Sequence, residues 1–211
     1  MGKLTENLEQ IAEHIRLSFS ERDAAREKML PLCREVIRHS GNAIRAVHRR
    51  EFEQARDLLK NARGFLDEAQ QAADNFSELA SAHYLKDAEK EFAEGNITLA
   101  LVTRHKLPTP EELRVDYAPY LNGLGEAVGE VRRFLLDNLR KGDLSQGEEL
   151  LSAMDDIYTV LVTMDFPDAL TGGLRRTADN VRGILERTRS DLTLTIRQKE
   201  LETKLEKLEH T

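Results

Sequence analysis

A chain of 211 residues carrying 31 Lys+Arg against 38 Asp+Glu, a net charge of −7, does not coat nucleic acid with its whole surface, although a local basic face stays open. With 40% hydrophobic and 33% charged residues, five prolines and no Pro- or Gly-rich stretch, it is a helix-rich chain long enough to bury a core, not a disordered one. A lone cysteine, Cys33, excludes a disulfide framework; no apolar run nears the ~20 residues that cross a bilayer, and MGKLTENLEQ lacks the layout of a signal peptide, so no membrane is expected and the compartment is expected to be cytoplasmic.

Residues 4 to 15 fit a short helix, and Ser20 followed by Asp23 resembles a loose cap for the next one. Leu30, Cys33, Ile37, Ile44 and Val47 then recur at helical spacing, with Pro31 marking either a kink or a start. Phe52, Ala55, Leu59, Ala62, Leu66, Ala69, Ala73 and Phe76 step by three and four, which predicts one long amphipathic helix. Residues 78 to about 104 continue as another, although Gly95-Asn96 reads locally as a stop. Pro108 and Pro110 break the chain, and LPTPEELRVDY is a loop with one helical turn. Tyr120, Leu124, Ala127, Val131, Phe134 and Leu135 mark a helix ending near Lys141-Gly142; residues 144 to 165 form the next, and a final long helix runs from about 168 toward the end. The tail from 198 to 211, with Leu201, Leu205 and Leu208 on one stripe, suits a projecting helix of a single 1–211 domain. No strand pattern occurs. The expected fold class is an all-α bundle of about seven helices.

Two stretches carry the chemistry. Glu126 and Glu130 are four apart and Glu91 and Glu94 three apart, so each pair shares one helix face and repels itself unless a cation stands between. Four carboxylates without a histidine make an all-oxygen donor set, which suits Mg²⁺, or Mn²⁺, better than Zn²⁺. The plainer alternative is surface pairing, because Lys90 precedes Glu94 by four and Arg133 follows Glu130 by three. Glu126 has Asn122 four before it and Gly129 three after, and no base is expected to compensate it. Gly123, Gly125 and Gly129 each cost a helix roughly 0.5–1 kcal/mol relative to alanine, which points to close backbone approach.

Basic residues outnumber acids between 16 and 63, and Arg34, Arg38, Arg45 and Arg49 share one side of a helix, which fits a phosphate-binding face, although on the residues alone a solvated helix face is the plainer reading. Few aromatics interleave with them, so recognition should follow backbone and single-strandedness more than sequence. Cys33 reads as core rather than nucleophile.

DYAPYLNGLGEAVGEVRRF resembles the translin/Trax family through Tyr120, Gly123, the acid at Glu126, Gly129-Glu130 and Arg133, and KEFAEG matches the Glu-x-x-Glu of its Trax branch through Glu91 and Glu94. Weaker similarity runs through CREVIRHSGNAIRAVHRRE, with Arg34, His48 and Arg49, and through LRRTADNVRGILERTRSDL. The resemblance implies a translin-like bundle assembling into a hollow homo-oligomer, an octamer, with nucleic acid inside. On the Trax side it implies a metal-dependent endoribonuclease acting on single-stranded RNA, with Glu91, Glu94, Glu126 and Glu130 as catalytic metal ligands and Arg34, Arg38, Arg45, His48, Arg49 and Arg133 on RNA or ssDNA. On the translin side it implies a non-catalytic binder of single-stranded RNA and DNA. Trax has an aspartate where this chain has Glu126, so that carboxylate is one methylene longer here. A short chain without nuclear-targeting sequence resembles the single-gene prokaryotic or archaeal type.

Overall fold

Alanine at every second turn lets two helices lie close. Ala55, Ala62, Ala69 and Ala73, with Leu59 and Leu66, are the buried stripe of α2 (Phe52–Ala73), and they pack on Met29, Cys33, Val36, Ala43 and Val47 of α1 (Leu8–His48). Each large side chain sealed in that seam contributes about 1.5–3 kcal/mol. Together the two helices form an antiparallel hairpin on which α4 (His83–Val102) is laid, and α4 in turn crosses α6 (Tyr117–Leu139). α7 (Gly147–Thr163) and α9 (Leu174–Glu209) complete the bundle on the far side of α6. Single turns, α3 (Ser77–Ala80), α5 (Pro110–Leu113) and α8 (Asp168–Thr171), connect them. This computed structural model describes residues 4 to 209, and among them there is no strand, as the periodicity predicted.

Expected and observed helices differ in α1, in the last helix, and between α3 and α4, where Ser81-Ala82 interrupts the helix expected to run on from 78. α1 is one helix of 41 residues, not a short helix followed by a capped second one, and Ser20, Asp23 and Pro31 all lie inside it. Pro31 and Glu27, whose carbonyl the proline leaves without its helical donor, are both exposed, so water can satisfy that group. α4 runs through Gly95-Asn96 as expected, against the local stop signal, because tertiary packing uses both residues. A Cβ on Gly95 would stand 2.9 Å from Leu59 Cδ2, and Asn96 Nδ2 donates to the Phe92 carbonyl at 2.8 Å. The last helix is interrupted, since Gly172 and Gly173 adopt φ of +61° and +84° and separate α8 from α9. That bend delivers the Thr171 carbonyl to Asn122 Nδ2 at 2.8 Å, while Thr177 Oγ1 donates to Asn122 Oδ1 at 2.7 Å.

Three helix ends share an unusual device. Arg50, Arg104 and Arg114 follow α1, α4 and α5 in the left-handed conformation with φ of 63°, 57° and 49°. In each case the next amide closes the helix by reaching back five residues: Glu51 to Ala46 at 2.9 Å, His105 to Ala100 at 2.8 Å, Val115 to Pro110 at 3.1 Å. Glycine is the usual residue there. Here each arginine side chain instead reaches a different element: Arg50 donates to Asn138 Oδ1 at 2.6 Å, Arg104 pairs with Glu149 at 2.8 Å, and Arg114 with Asp67 at 2.9 Å.

Candidate metal centre and nucleic-acid face

The crossing of α4 over α6 sets the site. Gly123 makes it possible, because a Cβ there would fall 2.7 Å from the Lys90 carbonyl oxygen and 3.1 Å from the Glu94 nitrogen. Gly125 is held as tightly from the other side, with Thr177 Cγ2 at 2.4 Å from the same hypothetical atom. Gly129 is not: its nearest neighbour is Ile184 Cδ1 at 3.8 Å, so close approach accounts for two of the three glycines.

With the backbones in contact, Glu91 and Glu94 of α4 and Glu126 of α6 converge, each offering a carboxylate oxygen within 4.8 Å of the others. Opposite corners of a Mg²⁺ octahedron with 2.1 Å bonds stand about 4 Å apart, so the three acids fit a small hard cation within the adjustment of a rotamer. Glu94 lies deepest: it is 8% exposed, takes no hydrogen bond, and is pushed up to about 8 from the ordinary 4.5 by burial first and then by the charges of Glu91, Glu126 and Glu130. Burial and the neighbouring Glu126 raise Glu91 as well. A buried carboxyl held neutral by its neighbours becomes charged at little cost once a divalent cation arrives.

Glu130 behaves differently. Its carboxylate accepts a hydrogen bond from His48 Nε2, which reaches over from α1, and this bond depresses its pKa; Arg133 stands 4.0 Å away. The structure therefore brings three of the four acids together and turns the fourth, one helical turn below, toward a histidine. His48 is correspondingly not on a solvent face, its side chain being 6% exposed.

Lys90 is the residue that sequence reasoning misplaced. Spacing pairs it with Glu94, but its ammonium lies 2.8 Å from Glu126 Oε1 and 3.7 Å from Glu91 Oε1, so Glu126 is compensated from the neighbouring helix. Burial lowers the Lys90 pKa, but the bond to Glu126 and the charges of Glu126, Glu91 and Glu94 together more than offset it, so the ammonium is held charged. The same ammonium and Glu126 line a cavity of about 740 Å³, together with Lys86, His83, Asp87, Asp116 and Arg176. Arg176 also borders a smaller hollow shared with Glu94 and Asn180, and its guanidinium has no partner among the described residues. No signal in the sequence singled out Arg176, since only the bend at Gly172-Gly173 carries the start of α9 to the acids.

Arg34, Arg38, Arg45 and Arg49 all project from α1 into solvent. Arg38 pairs with Glu35, Arg45 Nη1 donates to Asn42 at 2.8 Å and Arg49 Nη2 pairs with Glu51 at 2.6 Å, whereas Arg34 stands free among the described residues. Arg133 is also exposed. Cys33 is core, 2% exposed, its thiol pushed up to about 11 by burial.

Fold and site together define a class: an all-helical bundle with an oxygen-only acidic cluster where two helices touch. Known structures share the helical fold. AfC3PO in complex with duplex RNA is 34% identical, with a TM-score of 0.83 over 89% of this chain and 97% of that one. AfC3PO in a further crystal structure is 33% identical with a TM-score of 0.82 over the same shares. Apo-NeC3PO, at 18% identity and a TM-score of 0.76 over 92% and 100% of the two chains, shares the fold. An uncharacterized protein of Methanocaldococcus jannaschii is 28% identical over 196 residues, 90% of this chain and 85% of that protein. No protein-family model matches. AfC3PO and NeC3PO are translin/Trax-type proteins, and the chain belongs to the translin/Trax family.

Proposed function

We propose that the chain is a metal-dependent endoribonuclease that hydrolyses phosphodiester bonds of single-stranded RNA, with Glu91, Glu94 and Glu126 holding Mg²⁺ or Mn²⁺ and Glu130 as the fourth catalytic acid beside them. The observation that carries this reading is the convergence of three carboxylates, one of them buried and without a hydrogen bond, where α4 and α6 touch. When bound, the cation supplies Lewis acidity toward the phosphate and a more acidic water. The chain's own residues set the rest: Gly123 fixes the spacing of the acids, and Glu94 gives up a proton as the site charges. His48 holds Glu130 in its ionised form, so its part lies in positioning that acid rather than in touching RNA.

Arg34, Arg38, Arg45, Arg49 and Arg133 are the proposed RNA-binding residues, and the neighbouring AfC3PO–duplex RNA complex supports a nucleic-acid partner. The proposal extends to ssDNA as a second ligand and to a cytoplasmic setting. A hollow homo-oligomer, taken as an octamer, is supported by two exposed apolar stripes, Leu8, Ile11, Ile15 and Phe19 on α1 and Leu201, Leu205 and Leu208 on α9. On this reading 1–211 is one domain with 198–211 its projecting tail, a span whose last two residues lie outside the described ones. No helix among the described residues is long and apolar enough to cross a membrane.

Labelled single-stranded RNA incubated with Mg²⁺, with and without EDTA, on the wild type and on Glu126→Ala tests the proposal. Equal cleavage by both proteins would sink it. A second reading, a binder of single-stranded RNA or DNA without catalysis, is favoured by the ammonium of Lys90 already neutralising Glu126. Salt-sensitive binding with no cleavage under any divalent metal would select it.

A further inference from the structure

The acids at the α4–α6 crossing are not waiting bare, since Lys90 Nζ sits 2.8 Å from Glu126 and 3.7 Å from Glu91. An ammonium and a divalent cation repel with twice the energy of two unit charges and compete for the same oxygens, so both do not occupy that place at once. Lysine has somewhere else to go. Its stem has four rotatable carbons, its side chain is still 24% exposed, and it already forms part of the wall of the adjoining cavity.

Nor is that cavity neutral ground. Lys86, one turn earlier on the same face of α4, lines it but is tied to Asp116 and, at 3.2 Å, to Glu89. Arg176 lines it from α9 and carries no partner among the described residues. An anionic ligand seated between them would meet one unpaired guanidinium and one lysine free to turn. Asp87 and Asp116 share the wall, which keeps the cavity from holding an anion strongly until a further positive charge arrives.

We propose that Lys90 is an exchangeable counter-ion: it fills the acidic cluster in the metal-free protein and, when Glu91, Glu94 and Glu126 hold a divalent cation, turns into the adjoining cavity to bind a phosphate of the RNA strand. The inference rests on the metal-dependent nuclease reading above. It makes metal and RNA binding mutually reinforcing, because each ligand favours the same position of one side chain, and linkage requires the effect to be reciprocal. A phosphate is thereby gathered beside the cluster only when the cluster is charged with metal.

Calorimetric titration of Mn²⁺ into metal-free wild type, Lys90→Met and Lys90→Gln tests the first half, with circular dichroism to confirm that each variant is folded. Both variants are expected to bind Mn²⁺ about tenfold more tightly, the internal competitor being gone. The second half is read from the salt dependence of binding a single-stranded 2′-O-methyl oligoribonucleotide. Without Mn²⁺ the three proteins should share one slope; with Mn²⁺ the wild type should exceed both variants by about one phosphate contact. Equal Mn²⁺ affinity in all three proteins overturns the exchange and leaves the metal site standing. Absence of Mn²⁺ binding in all three removes the metal reading and the exchange with it. Tighter Mn²⁺ binding without the difference in slope overturns the phosphate contact.

Discussion

Two charged regions of this molecule follow opposite rules. The arginines of α1 are spaced to share one face, stand in solvent, and mostly meet a partner within a few residues, as Arg38 meets Glu35 and Arg45 meets Asn42. The glutamates at the α4–α6 crossing come from sequence positions 32 residues or more apart between the two helices, and are pressed together by a glycine contact. Exposed pairs of the first kind contribute about 0–1 kcal/mol and yield readily to a phosphate. Partly buried like charges of the second kind raise the energy of the empty protein, and that energy is recovered when a cation binds. A periodic charge pattern describes a surface; a convergent one describes a site.

The largest effect expected from breaking this contrast is chemical. Glu126→Ala and Glu94→Gln should each lose calorimetric Mn²⁺ binding and reduce single-stranded RNA cleavage by at least about 10²-fold, whereas Arg38→Ala should leave Mn²⁺ binding unchanged.

Next in size is the pH response of the metal-free protein. Glu94 titrates at about 8 when folded against an ordinary 4.5, so the folded chain holds that proton more tightly than the unfolded one. Its contribution is fully favourable below pH 4.5 and is lost as pH rises through 8. In EDTA, Glu94→Gln should therefore gain stability relative to wild type between pH 5 and 9, on the order of 3 kcal/mol by denaturant unfolding. Saturating Mn²⁺ should stabilise the wild type alone.

The contact beneath the cluster comes third. Gly123→Ala forces a methyl group against the Lys90 carbonyl and should destabilise by about 1–3 kcal/mol. Gly129→Ala meets only ordinary van der Waals distance and should be neutral or stabilising by about 0.5–1 kcal/mol. Equal penalties at the two positions would show that the crossing is not what spaces the acids.

Smallest are single cations. Arg34→Ala and Arg176→Ala should each lower the salt slope of RNA binding by about one, with similar loss for unrelated sequences. Arg176→Ala should in addition slow cleavage, because it borders the hollow at Glu94.

Helical periodicity made α2 legible, since its buried residues repeat at three and four without interruption, and it found α6 through Leu124, Ala127, Val131, Phe134 and Leu135, although α6 is also buried on a second side at Asn122, Gly123 and Gly125. It also exposed the acids, because like charges three and four apart are odd enough to notice. What could not be read was set by partners distant in the chain. His48 and Glu130 are 82 positions apart, and only the fold decides that they meet. Lys90 pairs across two helices rather than along one, so neighbour rules assigned it to Glu94. At Gly95-Asn96 the local stop signal is overruled by Leu59 and Ser40 packed against the glycine, while at Gly172-Gly173, between two stretches of good helical pattern, the break is real.

The arginines that end α1, α4 and α5 have a consequence for how this bundle tolerates change. A left-handed backbone disfavours a side chain by roughly 1–2 kcal/mol, and glycine would relieve it locally. Yet each guanidinium is a tether: Arg50 joins the end of α1 to α6, Arg104 joins α4 to α7, and Arg114 joins α5 to α2. Substituting glycine would relax three corners while untying them, so that the buried seams and the contact at Gly123 alone would keep the acids of α4 in register with Glu126.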